Sequence, residues 1–144
     1  MLGRHTVKHW SSTQKVVTLS SGEAELARIV KGASEALGLM SLAGDLGVEL
    51  HAKLYADSSA AIGICRRTGI GKVRHLATGQ LWVQERLKAG DLKLFKIPGE
   101  ANPGDLLTKH LSKDVADRHL RAMGVSRHEG RATSAPQMVG ATGA

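Results

Sequence analysis

The clearest periodic pattern in the chain begins after a serine-rich turn. Ser20 stands three residues before Glu23, which is the spacing of a capping box at a helix N-terminus. Apolar side chains then recur with helical spacing, and Gly44 and Gly47 suit the end of such a helix. These apolar residues are Leu26, Ile29, Val30, Ala33, Leu37 and Met40. The pattern predicts a long amphipathic helix with one buried face.

Short strands alternate with helices along the rest of the chain. The predicted strands are residues 5–10, 53–56 and 92–97, and the further predicted helices are residues 60–64, 76–89, 102–110 and 112–123. This alternation predicts an α/β fold in a single domain, residues 1–124. From Val125 onward, Gly, Ala, Ser and Thr dominate without periodicity. We therefore expect residues 125–144 to be a disordered C-terminal tail.

Composition narrows the possible partners and the compartment. The 144 residues include 20 Lys and Arg against 13 Asp and Glu, so the net charge of +7 favours a polyanionic partner. Cys65 is the one cysteine, which excludes an internal disulfide and multi-cysteine zinc sites. No segment approaches the roughly 20 apolar residues that span a bilayer, and no signal peptide is visible. The sequence thus predicts an intracellular protein, cytoplasmic or nuclear, with no membrane partner.

Three acids occupy comparable positions near predicted helix starts. Glu25 lies early in the long helix, Asp57 follows a strand, and Asp105 follows Asn102-Pro103, a helix N-cap and N1 pair. Each acid alone is explained by the helix macrodipole, which favours negative charge there. Acids at the carboxyl ends of strands and at adjoining helix starts can instead converge on one crevice. Clustered carboxylates suit Mg²⁺, which prefers oxygen ligands. Their spacing in the sequence leaves both interpretations open.

Four sequence motifs carry a family resemblance. Residues 10–15 (WSSTQK) and 19–25 (LSSGEAE) resemble the WSSKKQ and LSSxEAE stretch of copia-type retrotransposon ribonuclease H domains. Residues 55–62 (YADSSAAI) resemble the second acidic motif of that family. Residues 73–76 (VRHL) resemble its RTKHI segment, and residues 102–109 (NPGDLLTK) resemble its ADxxTK ending. The four motifs stand in the family's order, which makes the resemblance specific.

The resemblance implies a ribonuclease H-like fold, in which helices flank a mixed five-stranded sheet. It also implies hydrolysis of the RNA strand of RNA–DNA hybrids by two Mg²⁺ ions. Glu25, Asp57 and Asp105 would be the second, third and fourth metal-binding carboxylates, while Glu23 would be structural. In an intact Pol polyprotein, the upstream reverse transcriptase region would be a partner.

The chain departs from the family pattern in three places. Leu26 replaces the usual aromatic residue after Glu-Ala-Glu, and Ser58 replaces the asparagine after the second acid. The family's first catalytic aspartate lies on a strand upstream of residues 5–10, whereas no aspartate precedes Asp45 here. We therefore expect a sheet that lacks the first two strands, and impaired catalysis. The alternative is a degenerate, non-catalytic remnant that binds nucleic acid.

A basic segment lies between the second and third acids. Residues 66–96 contain eight Lys or Arg against Glu85 and Asp91. Such a cluster can be an ordinary solvated surface, or it can grip the phosphates of a hybrid. His75 could orient a phosphate, although the sequence favours a structural histidine because it shows no catalytic partner for it. The candidate nucleic-acid-binding residues are Arg66, Arg67, Lys72, Arg74 and His75.

Overall fold

A computed structural model describes residues 1–3, 5–10, 17–69, 71, 77–106, 109–125 and 130. Four α-helices and two β-strands are present in this part of the chain. In chain order they are α1 (Ser21–Asp45), β1 (Ala52–Ala56), α2 (Ser59–Arg66), α3 (Ala77–Ala89), β2 (Leu92–Lys96) and α4 (Lys113–Ala122). Two short 3₁₀ turns, Gly99–Ala101 and Pro103–Asp105, follow β2. None of the helices described is long and apolar enough to cross a membrane.

The two strands form a parallel sheet in which Ala52 pairs with Leu92 and Ala56 with Lys96. Because parallel strands need a crossover connection, α2 and α3 run between them. Leu92 and Leu94 of β2 are buried together with Ala56 of β1, whereas Lys93 and Tyr55 are exposed. This alternation gives the sheet one face that packs on helices and one exposed face.

The core lies between the buried face of the sheet and the first three helices. Helix α1 supplies the apolar stripe that its periodicity predicts, with Leu26 only 1% exposed. The ten buried members of the cluster are Leu26, Ile29, Ala33, Ala56, Ala61, Ile62, Cys65, Val83, Leu92 and Leu94. Burial in this cluster raises the pKa of the Cys65 thiol from 9.0 to about 11, because an apolar surrounding disfavours the thiolate.

Helix starts are fixed by side-chain caps that the sequence indicates. The Ser20 hydroxyl accepts a hydrogen bond from the Glu23 amide at 3.3 Å, and the Glu23 carboxylate accepts one from the Leu19 amide at 2.7 Å. The predicted cap at Ser20 is therefore confirmed, and the Glu23 carboxylate returns the contact one residue earlier, at the amide that precedes the N-cap. At α2, the Ser58 hydroxyl accepts from the Ala61 amide at 3.2 Å.

Two sequence predictions of secondary structure are wrong. Residues 5–10 form no strand; among the described residues of this region, the one β-pairing is an isolated bridge between Leu2 and His5, next to Gly3, whose φ is +58°. Alternating polarity can give an extended segment, but a strand also needs a neighbouring edge to pair with. The α-helix predicted over residues 102–110 is also absent where described, because the backbone becomes extended at Leu106 after one 3₁₀ turn.

The remaining predictions of secondary structure agree with the structure, whereas those of the fold family and of the tail are not tested by it. The helices predicted over residues 76–89 and 112–123 correspond to α3 and α4, and the strands at 53–56 and 92–97 correspond to β1 and β2. The α/β class is thus confirmed, while the ribonuclease H-like arrangement and its lack of two strands stay predictions. The tail predicted after Val125 lies almost wholly outside the described residues.

Candidate functional site

Asp57 lies directly after β1, at the carboxyl end of the sheet. The Asn102 side-chain amide donates a hydrogen bond to Asp57 Oδ2 at 3.4 Å, although the two residues are 45 positions apart. Gly99 also lies near this oxygen, since a Cβ at that position would be 3.9 Å from it. The two 3₁₀ turns after β2 therefore pack beside the carboxyl end of β1 and bring Asp105 into this region.

Glu25 reaches the same end of the sheet through a close contact between two helix starts. A Cβ at Gly22 of α1 would lie 3.3 Å from the Ala60 Cβ of α2, so the helices meet where the chain has only glycine and alanine. Because α2 begins two residues after Asp57, this contact places the first turns of α1 near that acid. Glu25 is partly buried and forms an ion pair with Arg28, one helical turn later.

Lys109 connects the three acids electrostatically. Its ammonium donates to Asp105 Oδ2 at 2.8 Å, in a pair whose carboxylate is 15% exposed. This hydrogen bond is the main reason why the pKa of Lys109 is raised, and partial desolvation opposes it. The negative charges of Asp105, Asp57 and Glu25 raise that pKa further. The structure thus gives Lys109 a direct partner in Asp105, and Asp57 and Glu25 act on the pKa of this lysine only through their charge.

The chemistry of these side chains suits Mg²⁺, but their arrangement does not yet form a binding site. Carboxylate oxygens are the ligands that Mg²⁺ prefers. Within the described residues, however, no three His, Cys, Asp or Glu side chains are grouped closely enough to hold a metal ion. Each acid instead contacts a donor from its own chain: Arg28 for Glu25, Asn102 for Asp57 and Lys109 for Asp105. Binding of Mg²⁺ by these three acids stays a prediction.

The candidate nucleic-acid-binding residues are only partly visible. The Arg66 guanidinium donates to the Leu94 carbonyl at 2.8 Å, so this arginine also holds the C-terminal end of α2 against β2. Arg67 is exposed and folds over Gly71, where a Cβ would lie 2.7 Å from its guanidinium carbon. Lys72, Arg74 and His75 lie outside the described residues.

Two glutamines of α3 hold the turn that follows α2. The Gln84 amide nitrogen donates to the carbonyls of Ile64 and Gly69, and its oxygen accepts from the Gly69 amide at 3.2 Å. The fully buried Gln80 donates to the same Gly69 carbonyl at 2.9 Å. These bonds satisfy backbone groups at and just after the C-terminal end of α2.

Two open concavities lie away from the acids. One, of about 600 Å³, is lined by Gly44 and Val48 at the C-terminal end of α1. The other, of about 370 Å³, is lined by Arg66 and Lys93 along the outer side of β2. Neither of these two concavities is lined by any of the three predicted acids, whose side chains are partly buried.

Sequence reasoning missed the three partners of the acids. Lys109 stands four residues after Asp105 and Arg28 three residues after Glu25, which are the spacings of helical ion pairs and could have been noticed. Asn102 was assigned only as a cap, and it does accept from the Gly104 amide. Its contact with Asp57 depends on the tertiary fold, and no local pattern indicates it.

Comparisons with known proteins agree on one kind of relative. The retrovirus-related Pol polyprotein from transposon RE1 of Arabidopsis thaliana is 28% identical over 129 residues, or 88% of this chain and 9% of that protein. The corresponding polyprotein from transposon RE2 of the same plant is 28% identical over 127 residues, or 86% of this chain and 9% of its own length. The corresponding polyprotein from transposon TNT 1-94 of Nicotiana tabacum is 33% identical over 103 residues, or 69% of this chain and 8% of its own length.

The chain therefore spans less than a tenth of the length of the polyproteins it matches. No family model matches it. No solved structure matches it either. The similarity supports a retroelement origin for the chain.

Proposed function

We propose that this retroelement-derived chain is the C-terminal part of a ribonuclease H domain, which hydrolyses the RNA strand of RNA–DNA hybrids with Mg²⁺. The observation that supports the proposal is the packing of the 3₁₀ turns against the end of β1, where Asn102 donates to Asp57 Oδ2 at 3.4 Å and the Asp105 turn follows directly. The three acids come from α1, the end of β1 and the second 3₁₀ turn, each within a separate motif of the family pattern. Convergence from distant segments is expected of a shared site and is not needed for complementing individual helix dipoles.

The proposed site needs a further carboxylate. Two metal ions held by three carboxylates would leave more positive charge uncompensated than a site with a bridging acid. The edge of β1 that faces away from β2 has no strand partner in the described part of the chain. An acid-bearing strand from an upstream polyprotein region would pair with this edge and end beside Asp57, as parallel strands share their carboxyl ends. We thus propose that this chain alone is inactive or strongly impaired.

A second candidate function is nucleic-acid binding without catalysis. The internal pairing of each acid favours it, since Arg28, Asn102 and Lys109 donate to the carboxylate oxygens that a metal ion would otherwise bind. The net charge of +7 is consistent with either function.

Activity measurements on an extended chain separate these candidates. A family-like hairpin and aspartate-bearing strand are placed ahead of Met1, and cleavage of a labelled RNA–DNA hybrid is followed in Mg²⁺. We expect cleavage by the extended chain and none by the chain alone. Asp57→Asn should reduce the rate by roughly a thousand-fold or more, because members of a catalytic unit act non-additively. Asp114→Asn, an exposed acid of α4, serves as the matched control and should retain the rate.

Two outcomes would refute the catalytic proposal. One is an extended chain that folds and binds the hybrid but does not cleave it, which would favour the non-catalytic candidate. The other is cleavage that Asp57→Asn and Asp114→Asn reduce equally. Cleavage by the chain alone, above the level of its own Asp57→Asn variant, would show instead that the three acids suffice.

A further inference from the structure

The exposed face of the two-stranded sheet carries an unusual set of side chains. Tyr55 and Phe95 are register partners on neighbouring strands, and their rings stack with centroids 5.5 Å apart and an interplanar angle of 28°. They are the only tyrosine and the only phenylalanine of the chain, yet they are 58% and 38% exposed. Aromatic side chains normally contribute large buried areas to a core, so stacked exposed rings indicate a binding surface.

Two lysines complete this face. Lys53 and Lys93 are also register partners, two residues before Tyr55 and Phe95, and both are exposed. Adjacent strands lie about 4.8 Å apart, so the pair places like charges side by side, which is unfavourable without a compensating anion. In the described part of the chain neither lysine forms an ion pair, and the nearby Asp91 is bonded to Arg86 at 3.0 Å.

We propose that this face, formed by Lys53, Tyr55, Lys93 and Phe95, binds a single-stranded nucleic acid. Exposed aromatic rings provide a stacking surface for unpaired bases, and adjacent lysines attract the phosphates of the same strand. A duplex offers its phosphates to the lysines but keeps its bases stacked on one another. The combination of rings and cations therefore fits an unpaired strand better than a duplex.

This surface lies close to the candidate site. Tyr55 precedes Asp57 by two residues, a distance of about 6.6 Å along an extended backbone. A strand bound here would run beside the end of the sheet where Asp57 and Asn102 lie. The binding itself does not depend on hydrolysis, so it is tested without metal and independently of the proposed activity.

Fluorescence anisotropy with the full chain tests the proposal. The probes are a labelled twelve-nucleotide oligothymidylate, an oligonucleotide of equal length made of abasic sites, and a duplex of equal length, all in EDTA. Stacking of one base on an aromatic residue typically changes the Kd by about 5- to 150-fold. We expect the double variant Tyr55→Leu with Phe95→Leu to raise the Kd for the oligothymidylate by at least about 5-fold. The same double variant should leave binding of the abasic strand nearly unchanged.

The lysines are tested by the salt dependence of binding. For single strands, a plot of the logarithm of the binding constant against the logarithm of the salt concentration becomes less steep by about 0.7 for each phosphate that the protein no longer neutralises. Lys53→Gln with Lys93→Gln should therefore reduce the slope by about 1.4. Lys31→Gln with Lys113→Gln removes the same charge from exposed positions in α1 and α4, and it should reduce the slope by less than half as much.

Each variant is first checked for native circular dichroism and an unchanged melting temperature, so that loss of binding is not loss of folding. Equal affinity of the wild type for the oligothymidylate and the abasic strand would overturn the proposal, because stacking would then contribute nothing. Equal effects of the two lysine pairs would also overturn it. Competition by a polyglutamate peptide as effective as that by the oligothymidylate would identify the surface as a docking site for an acidic protein instead.

Discussion

Replacing Leu26 with alanine tests the structure at the centre of its core. Leu26 is 1% exposed and belongs to the same buried cluster as Ile29, Cys65 and Val83. Removing a buried leucine side chain costs about 2–5 kcal/mol, because transfer free energy is lost and a cavity remains. Domains of this size have a free energy of unfolding of roughly 5–15 kcal/mol, so the substitution removes a large share of it. Leu26→Met, which keeps the volume, should cost less than about 1.5 kcal/mol.

The buried thiol of Cys65 provides the assay for this substitution. It is 1% exposed and its pKa is raised to about 11, so it reacts with a disulfide reagent only when the core opens. A loss of 2–5 kcal/mol raises the open population by about 30- to 5,000-fold, since each 1.36 kcal/mol is tenfold. The labelling rate under native conditions should rise by that factor in Leu26→Ala. Urea denaturation should give the same loss in free energy of unfolding.

Two results would refute this reasoning. In the first, the wild-type thiol reacts as fast as a free cysteine, which would mean that Cys65 is accessible in the folded chain. In the second, Leu26→Ala destabilises the chain towards urea but leaves the labelling rate unchanged. The thiol would then react through a local opening that does not involve the cluster around Leu26. Leu26→Met controls for general effects of substitution at this position.

Three further predictions concern single interactions. The pKa of Cys65 is raised on folding, so stability should fall as pH rises from 9.0 towards 11, and Cys65→Ala should remove this part of the pH dependence in urea titrations. A hydrogen bond from Lys8 lowers the pKa of Glu35, so the stability that this ion pair adds should be present above pH 4.5 and be lost as pH falls below it. Urea titrations at several pH values check this, and it would be contradicted if stability fell with pH in parallel in the wild type and in Glu35→Gln. Ser58→Ala should lower the free energy of unfolding by about 1 kcal/mol through loss of the α2 cap. Ser58→Asn, which can still cap the helix, should keep most of that stability, as measured by thermal melting.

The fold was predictable where local signals agree. The capping box and the apolar stripe predicted α1, and both features are visible in its cap and its buried face. The strands β1 and β2 were predictable as short apolar runs, but their pairing in parallel depends on the crossover through α2 and α3. Residues 5–10 show the limit: their alternation resembles that of a strand, yet a ladder requires a partner that the pattern does not encode.

The candidate site likewise combines residues that sequence motifs indicate with contacts that only the tertiary fold creates. Motif resemblance selected Glu25, Asp57 and Asp105, and the structure adds the common electrostatic neighbour Lys109. The contact between Asn102 and Asp57 could not be predicted, because it joins residues far apart in the chain through the docking of 3₁₀ turns. The 3₁₀ conformation itself was hidden, since Asn102-Pro103 starts an α-helix and a 3₁₀ turn equally well.

The hydrogen bond from Arg66 to the Leu94 carbonyl makes the two edges of the sheet differ in their ability to pair with a further strand. The guanidinium engages a backbone carbonyl of β2, so this strand has one acceptor fewer to offer to a further strand. In the described part of the chain, the edge of β1 that faces away from β2 pairs with no strand. Two copies that met through their β1 edges would form an isologous pair, and such a pairing closes on itself at two copies. The Arg66 contact therefore disfavours strand addition at β2 relative to strand addition at β1.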